Sequence, residues 1–251
     1  MCSIVILARP GHPWPVLIGA NRDEMAARPW RPPARHWPDR ADVVAGLDEL
    51  AGGSWLGAND HGVVAAILNR HGTLGPAAGK RSRGELVLEA LDHADAADAA
   101  GAMGDLDPAA YRPFNMMITD NRDAFWISCR EESDPRPIRV VRVPPGLSML
   151  TAFDLDDGRD PRIRGYLPRF RAAPVPEPDR DDWASWRALL GSRGSDGPGP
   201  EGAMCFLTDS GFGTSSSSLI ALPSMDAEEA RPRWLFAAGP PDRTPYFPVD
   251  F

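Results

Sequence analysis

Cys2 stands directly behind Met1, so trimming of that methionine would leave a thiol and an α-amine on one residue. A free α-amine titrates near ~7.7–8.0, which leaves part of it neutral at physiological pH and able to accept a proton. N-terminal threonine nucleophiles are activated by their own amine in this way. Cys2 is therefore a candidate nucleophile. Asn21-Arg22-Asp23-Glu24 is the second group of interest. An arginine near a thiol favours thiolate. An aspartate near an α-ammonium would hold and orient it.

For these groups to meet, the chain between them must fold back on itself. Ser3 to Ala8 is short, apolar and β-branched, which predicts a strand. Gly11-His12-Pro13-Trp14-Pro15 breaks it, and Val16 to Ile18 resumes the pattern, with Asn21-Arg22-Asp23-Glu24 directly after this second strand. Two such runs around a Gly/Pro turn predict a hairpin. With the turn near residues 11–14, residues 21–24 fall opposite residues 1–4, so Arg22 and Asp23 come beside Cys2. Neighbours on a strand point to opposite faces, so only one of the two faces Cys2.

Short strands and tight turns fill the rest of the first 70 residues. Residues 28–42 are rich in Pro, Arg and Trp and read as an ordered loop. Gly52-Gly53-Ser54-Trp55-Leu56-Gly57 reads as a strand beginning at a glycine turn, and Val63 to Leu68 as a buried strand ending at Asn69-Arg70. Ser82-Arg83-Gly84-Glu85 fits a capping box, which starts the first helix. A second short helix is expected up to about residue 103. Further strands are expected at Phe114 to Thr119, Ala124 to Ser128, Ile138 to Val143, Ser148 to Ala152, Ser216 to Ala221 and Arg233 to Ala238. Helices are expected at Arg162 to Phe170 and Asp181 to Leu190. Residues 191–200 have linker composition. Runs of strands alternating with runs of helices predict an α+β layered fold. No repeat and no second core is visible, so residues 1–251 read as a single domain.

Gly 24 and Pro 27 among 251 residues stay below the share of ~25–30% that marks a low-complexity chain. The net charge of -8 argues against general affinity for nucleic acid or anionic membrane. Lys80 is the only lysine, so the positive charge is nearly all guanidinium, suited to carboxylate and phosphate. An odd count of 3 cysteines without CxxC spacing suits a reducing compartment better than a disulfide framework. No signal peptide or membrane span is legible, which predicts a cytoplasmic protein. The histidines show no ligand spacing, so no metal site is expected. Trp14, Trp30, Trp37 and Trp55 are expected to pack early loops onto the core or to line an apolar groove.

Several motifs occur together in order: Met1-Cys2 with its strand, Asn21-Arg22-Asp23-Glu24, Gly52 to Gly57, Asn69-Arg70, Ser82-Arg83-Gly84, Pro113-Phe114-Asn115, and Phe212-Gly213-Thr214 before a serine strand. In this the chain resembles the NRDE family, also called the transport and Golgi organisation protein 2 family, over most of its length. That family is similar to the N-terminal-nucleophile hydrolases, including choloylglycine hydrolases and penicillin acylases. The resemblance implies a four-layer αββα sandwich of antiparallel sheets. It implies an N-terminal cysteine amidase or acyl transferase acting on a small amide or acyl compound. Cys2 would be nucleophile, Arg22 or Asp23 its orienter, and Asn69 an oxyanion donor. Asn21, Trp55, Arg70 and Thr214 would contact substrate. The hydrolases separate their Arg and Asp by two residues, whereas Arg22 and Asp23 are adjacent. Thr151-Ala152 stands where they carry an Asn, and Ser215 where Tyr-Gly-Thr-Arg has its Arg. Eukaryotic members of the NRDE family are associated with moving haem. The alternative implied function is thus non-enzymatic binding and trafficking of haem or another hydrophobic anion, with Cys2 or a histidine as axial ligand.

Overall fold

The computed structural model describes residues 2–131, 133–195, 199–227 and 231–250. Among them the strands form two antiparallel sheets, one in each of two compact units. The first unit holds the chain to Arg28 and again over Pro145–Val249, and the second holds Pro29–Pro144.

In chain order, the first unit opens with β1 (Ser3–Ala8) and β2 (Val16–Met25). The second supplies β3 (Trp30–Ala34), β4 (Val43–Asp48), β5 (Leu56–Asn59) and β6 (Val64–Asn69). It continues with α1 (Gly84–Leu91), α2 (Ala96–Gly104), β7 (Phe114–Thr119), β8 (Ala124–Cys129) and β9 (Ile138–Arg142). The chain returns to the first unit with β10 (Gly146–Leu150), α3 (Pro161–Ala172), α4 (Ala184–Leu190), β11 (Phe212–Leu222), β12 (Arg233–Ala237) and β13 (Phe247–Pro248). The first sheet runs β10-β1-β2-β11-β12-β13, and the second runs β3 to β9 in sequence order. The α+β class expected from the sequence is the class observed.

In the first unit, one sheet face packs on the two helices. Val5, Leu7, Leu17, Met149 and Leu219 meet Ile163, Tyr166 and Phe170 of α3 and Trp186 and Leu190 of α4. Phe170 and Trp186 contact edge to face at 5.6 Å. In the second unit, Val43, Ala65, Met116 and Ile127 pack under Leu86, Val87 and Leu91 of α1 and Ala99 and Met103 of α2. Among the described residues no helix is long and apolar enough to cross a membrane.

Several local expectations are corrected. Asn21-Arg22-Asp23-Glu24 does not follow the second strand but lies within it, because β2 extends to Met25 along β11. Residues 28–42 are not all loop: Trp30–Ala34 is an edge strand. Pro32 and Pro33 sit where its pairing with β4 shifts register, as proline tolerates only at an edge or bulge. The capping box does not form. The Ser82 hydroxyl accepts from the Gly84 N–H at 3.3 Å, while Glu85 is engaged by Arg81 and by the Tyr111 hydroxyl, each at 2.7 Å. The helix expected from Asp181 starts at Ala184.

Gly53 shows how closely elements approach in the second unit. A Cβ there would lie 2.4 Å from the backbone carbon of Gly84, at the start of α1. The Ser54 N–H donates to the Gly84 carbonyl at 2.9 Å across the same contact. Gly53→Ala is expected to cost about 1–3 kcal/mol, the usual cost of overpacking. A lowered denaturation midpoint at unchanged m-value would show it.

Candidate functional site

The β1–β2 hairpin sets the site. Ser3 pairs with Asn21, and the register continues to Ala8 opposite Val16. Cys2 precedes this pairing, and its sulfur meets the main chain of Asp23. On the other flank of β2, Asp23 pairs with Thr214 and Arg22 with Ser216. Ser215 is the extra residue between them, a bulge that re-aims the end of β11. Its hydroxyl donates to the Arg22 carbonyl at 3.1 Å.

The Cys2 sulfur is held by the main chain of Asp23. It accepts from the Asp23 N–H at 3.4 Å and reaches the Asp23 carbonyl at 3.7 Å. Burial pushes the thiol above its ordinary range, and the negative charge of Asp23 pushes the same way. The positive amino terminus, the Asp23 N–H and Arg22 oppose these effects without overcoming them. The balance of these effects leaves the thiol raised above its ordinary range.

The Asp23 side chain turns towards α3, among buried polar partners. Arg162 Nη1 donates to Oδ2 at 2.9 Å, and the Thr214 hydroxyl donates to Oδ1 at 2.8 Å. The side chains of this ion pair are 1% and 0% exposed. The Thr214 hydroxyl also accepts from the Phe206 N–H at 3.3 Å. A Cβ on neighbouring Gly213 would meet the Phe206 carbonyl at 2.4 Å, so only glycine allows this approach. The Arg162 guanidinium lies 5.3 Å from the centre of the Phe206 ring, within cation–π range. Asn21 donates to the carbonyls of Leu190 at 3.0 Å and Met204 at 2.8 Å, which ties β2 to the end of α4. Arg22 is also buried, with its guanidinium 3.9 Å from Glu24.

Arg162 was not legible as a site residue, nor was Asp160. Asp160 caps α3 by accepting from the Arg162 N–H at 2.7 Å and bonds the Thr151 hydroxyl. The available signal was a cation straight after Asp160-Pro161. A helix's first turn favours acids, and a cation there is disfavoured by about 0.3–1 kcal/mol unless something compensates. Arg162 also shares the buried stripe of Ile163, Tyr166, Leu167 and Phe170, where an apolar residue is expected.

The structure thus brings together Cys2, Asn21, Arg22, Asp23 and Thr214 in the first unit. Asn69, Arg70 and Trp55 belong to the second unit. There Asn69 closes β6 opposite Phe114, Arg70 donates to Asn115 Oδ1 at 2.6 Å, and Trp55 meets Trp30 edge to face at 5.6 Å. Trp14 is buried, and its indole donates to Asp179 at 3.0 Å. In the serine run Ser216, Ser217 and Ser218 are buried, with the Ser217 hydroxyl donating to the Ala20 carbonyl at 3.0 Å. Cys129 and Cys205 are buried thiols, each pushed up to about 11, mainly by burial. Among the described residues no group of three His, Cys, Asp or Glu side chains could hold a metal ion.

The chain has relatives. A family profile described as Transport and Golgi organisation 2 matches residues 1–157. The transport and Golgi organization protein 2 homolog of Bos taurus is 35% identical over 114 residues, which cover 42% of this chain and 38% of the bovine protein. The chain thus matches well under half the length of that relative. Among solved structures, a Caenorhabditis elegans orthologue of N-acylethanolamine-hydrolyzing acid amidase superposes with a TM-score of 0.58 at 11% identity, covering 99% of this chain and 100% of that one. The penicillin V acylase of Agrobacterium tumefaciens gives 0.52 at 13% identity, covering 100% and 86%. At such identities the likeness shows the fold, which is N-terminal-nucleophile hydrolase-like.

Proposed function

The chain belongs to the Transport and Golgi organisation 2 family, and on that footing we propose that it is an N-terminal cysteine hydrolase or acyl transferase for a small amide or acyl compound. The observation that carries this reading is the contact of the Cys2 sulfur with the backbone N–H of Asp23, whose carboxylate is clamped by Arg162 and Thr214. Removal of Met1 frees the Cys2 α-amine. As the sulfur bonds to the substrate carbonyl carbon, its proton passes to that amine. The ammonium returns the proton to the leaving nitrogen as the C–N bond breaks, leaving a thioester on Cys2. Water, or a second acceptor in a transferase, then releases the acyl group. A thiol raised by burial and by Asp23 suits this order, because the proton leaves during attack rather than before it.

The test is covalent capture. An acyl electrophile is expected to label Cys2 once per chain at neutral pH, and the chain is expected to lack Met1. A variant with glycine inserted between Met1 and Cys2 has an amide where the amine was. Its Cys2 is expected to label about 10-fold more slowly or worse, since the base is gone. Equal rates for the two proteins would sink the reading.

Capture of haem or another hydrophobic anion without turnover is the second reading. It is favoured by Met25 and Leu207, 41% and 53% exposed, beside half-buried Phe212 at the strand ends next to Asp23 and Thr214. A haem titration followed at the Soret band tests it. Saturable binding at micromolar protein that Cys2→Ala weakens would support it, and no saturable shift would dismiss it.

A further inference from the structure

Resting on the reading of Cys2 as nucleophile, we propose that Arg162 is the positioning residue of the site, acting on Cys2 only through Asp23. Three observations carry this. The Arg162 Nη1 to Asp23 Oδ2 bond of 2.9 Å joins two side chains that are fully buried and 139 positions apart in sequence. The same Asp23 supplies, from its main chain, two groups that touch the Cys2 sulfur. Arg162 is itself held in place, its N–H bonded to Asp160 at the cap of α3 and its guanidinium beside the Phe206 ring. Asp23 is thus fixed at its side chain by α3 and β11, and its backbone presents a set N–H and carbonyl to the thiol. Arg162 also balances the carboxylate charge that opposes ionisation of Cys2.

The charged groups around this thiol and carboxylate come from three places in the unit. β2 gives Arg22 and Asp23, with Glu24 behind Arg22. α3 gives Arg162, with Asp160 at its cap. The amino terminus adds a positive charge. β11 contributes the hydroxyls of Thr214 and Ser215. Removing the charge of Arg162 takes away the buried guanidinium that meets the Asp23 carboxylate at 2.9 Å.

The experiment follows iodoacetamide alkylation of Cys2 in the full chain, read on the Cys2 peptide by mass spectrometry from roughly pH 7 to 12. Arg162→Gln is expected to raise the midpoint of the pH–rate curve by about one unit. Arg162→Lys restores the charge without the planar fork and is expected to bring the midpoint most of the way back. The double variant Asp23→Asn with Arg162→Gln removes both charges and is expected to titrate within about 0.3 units of the unaltered chain. A folded Arg162→Gln with an unmoved midpoint overturns the proposal. If Arg162→Gln does not fold, the other two decide. Both near the original midpoint supports action through Asp23. A double variant raised by about one unit means that Arg162 acts on the thiol directly, and overturns it. Alkylation reads the thiol whether or not any amide is cleaved. A moved profile without turnover therefore counts against the proposed activity alone, and turnover with an unmoved profile counts against Arg162 alone.

Discussion

Cys2→Ala is expected to lower turnover of a small amide or acyl substrate by about 10⁴-fold or more while leaving the fold intact. Loss of a covalent nucleophile removes the whole chemical path, and other site residues then recover little of it. The structural cost is small by comparison. Cys2 is half-buried, and among the described residues its thiol makes two long contacts, both with the Asp23 backbone. A lost hydrogen bond of this kind costs about 0.5–1.5 kcal/mol. Steady-state hydrolysis measured beside a urea denaturation curve separates the two effects. A Cys2→Ala protein that keeps its rate places the chemistry elsewhere.

Asp23→Ala is expected to destabilise the protein by about 3–5 kcal/mol, the usual consequence of removing one partner of a buried ion pair. The cost comes from what remains. Arg162 is 1% exposed and would keep its charge inside the unit without the carboxylate it meets at 2.9 Å. The Thr214 hydroxyl would lose its 2.8 Å bond to Asp23 and keep the longer one to the Met204 carbonyl at 3.3 Å. Replacing both charges together, as in Asp23→Asn with Arg162→Gln, leaves no unpaired charge and is expected to cost clearly less than Asp23→Ala. Chemical denaturation midpoints at matched m-values measure this difference. A loss below ~1 kcal/mol for Asp23→Ala would mean that water reaches Arg162.

The hairpin that carries the site was legible because its cues are local. An apolar run, a Gly/Pro turn and a second apolar run fix a register, and the observed pairing of Ser3 with Asn21 follows it. Where β2 ends was not legible. Asn, Asp and Glu are poor strand formers in isolation, yet β11 pairs with them as far as Met25 and the burial is supplied by tertiary partners. The capping box failed for the same kind of reason. Ser82 and Glu85 have the right spacing, but Arg81 and Tyr111 claim the carboxylate. Arg162 was hidden most deeply. Its partner lies 139 residues away, and nothing nearby in the sequence announces Asp23. The misplaced cation in the first turn of α3 is the one trace the pairing leaves in the sequence.

The central claim is that Cys2 acts as an N-terminal nucleophile. Intact and peptide mass spectrometry of the purified full-length protein, before and after one addition of an activated acyl ester, tests it most directly. The account predicts a chain without Met1 that gains a single acyl group on the Cys2 peptide, released by hydroxylamine. A chain that retains Met1 and still turns over substrate would contradict it, as would an acyl group found on Cys129 or Cys205 with Cys2 unmodified.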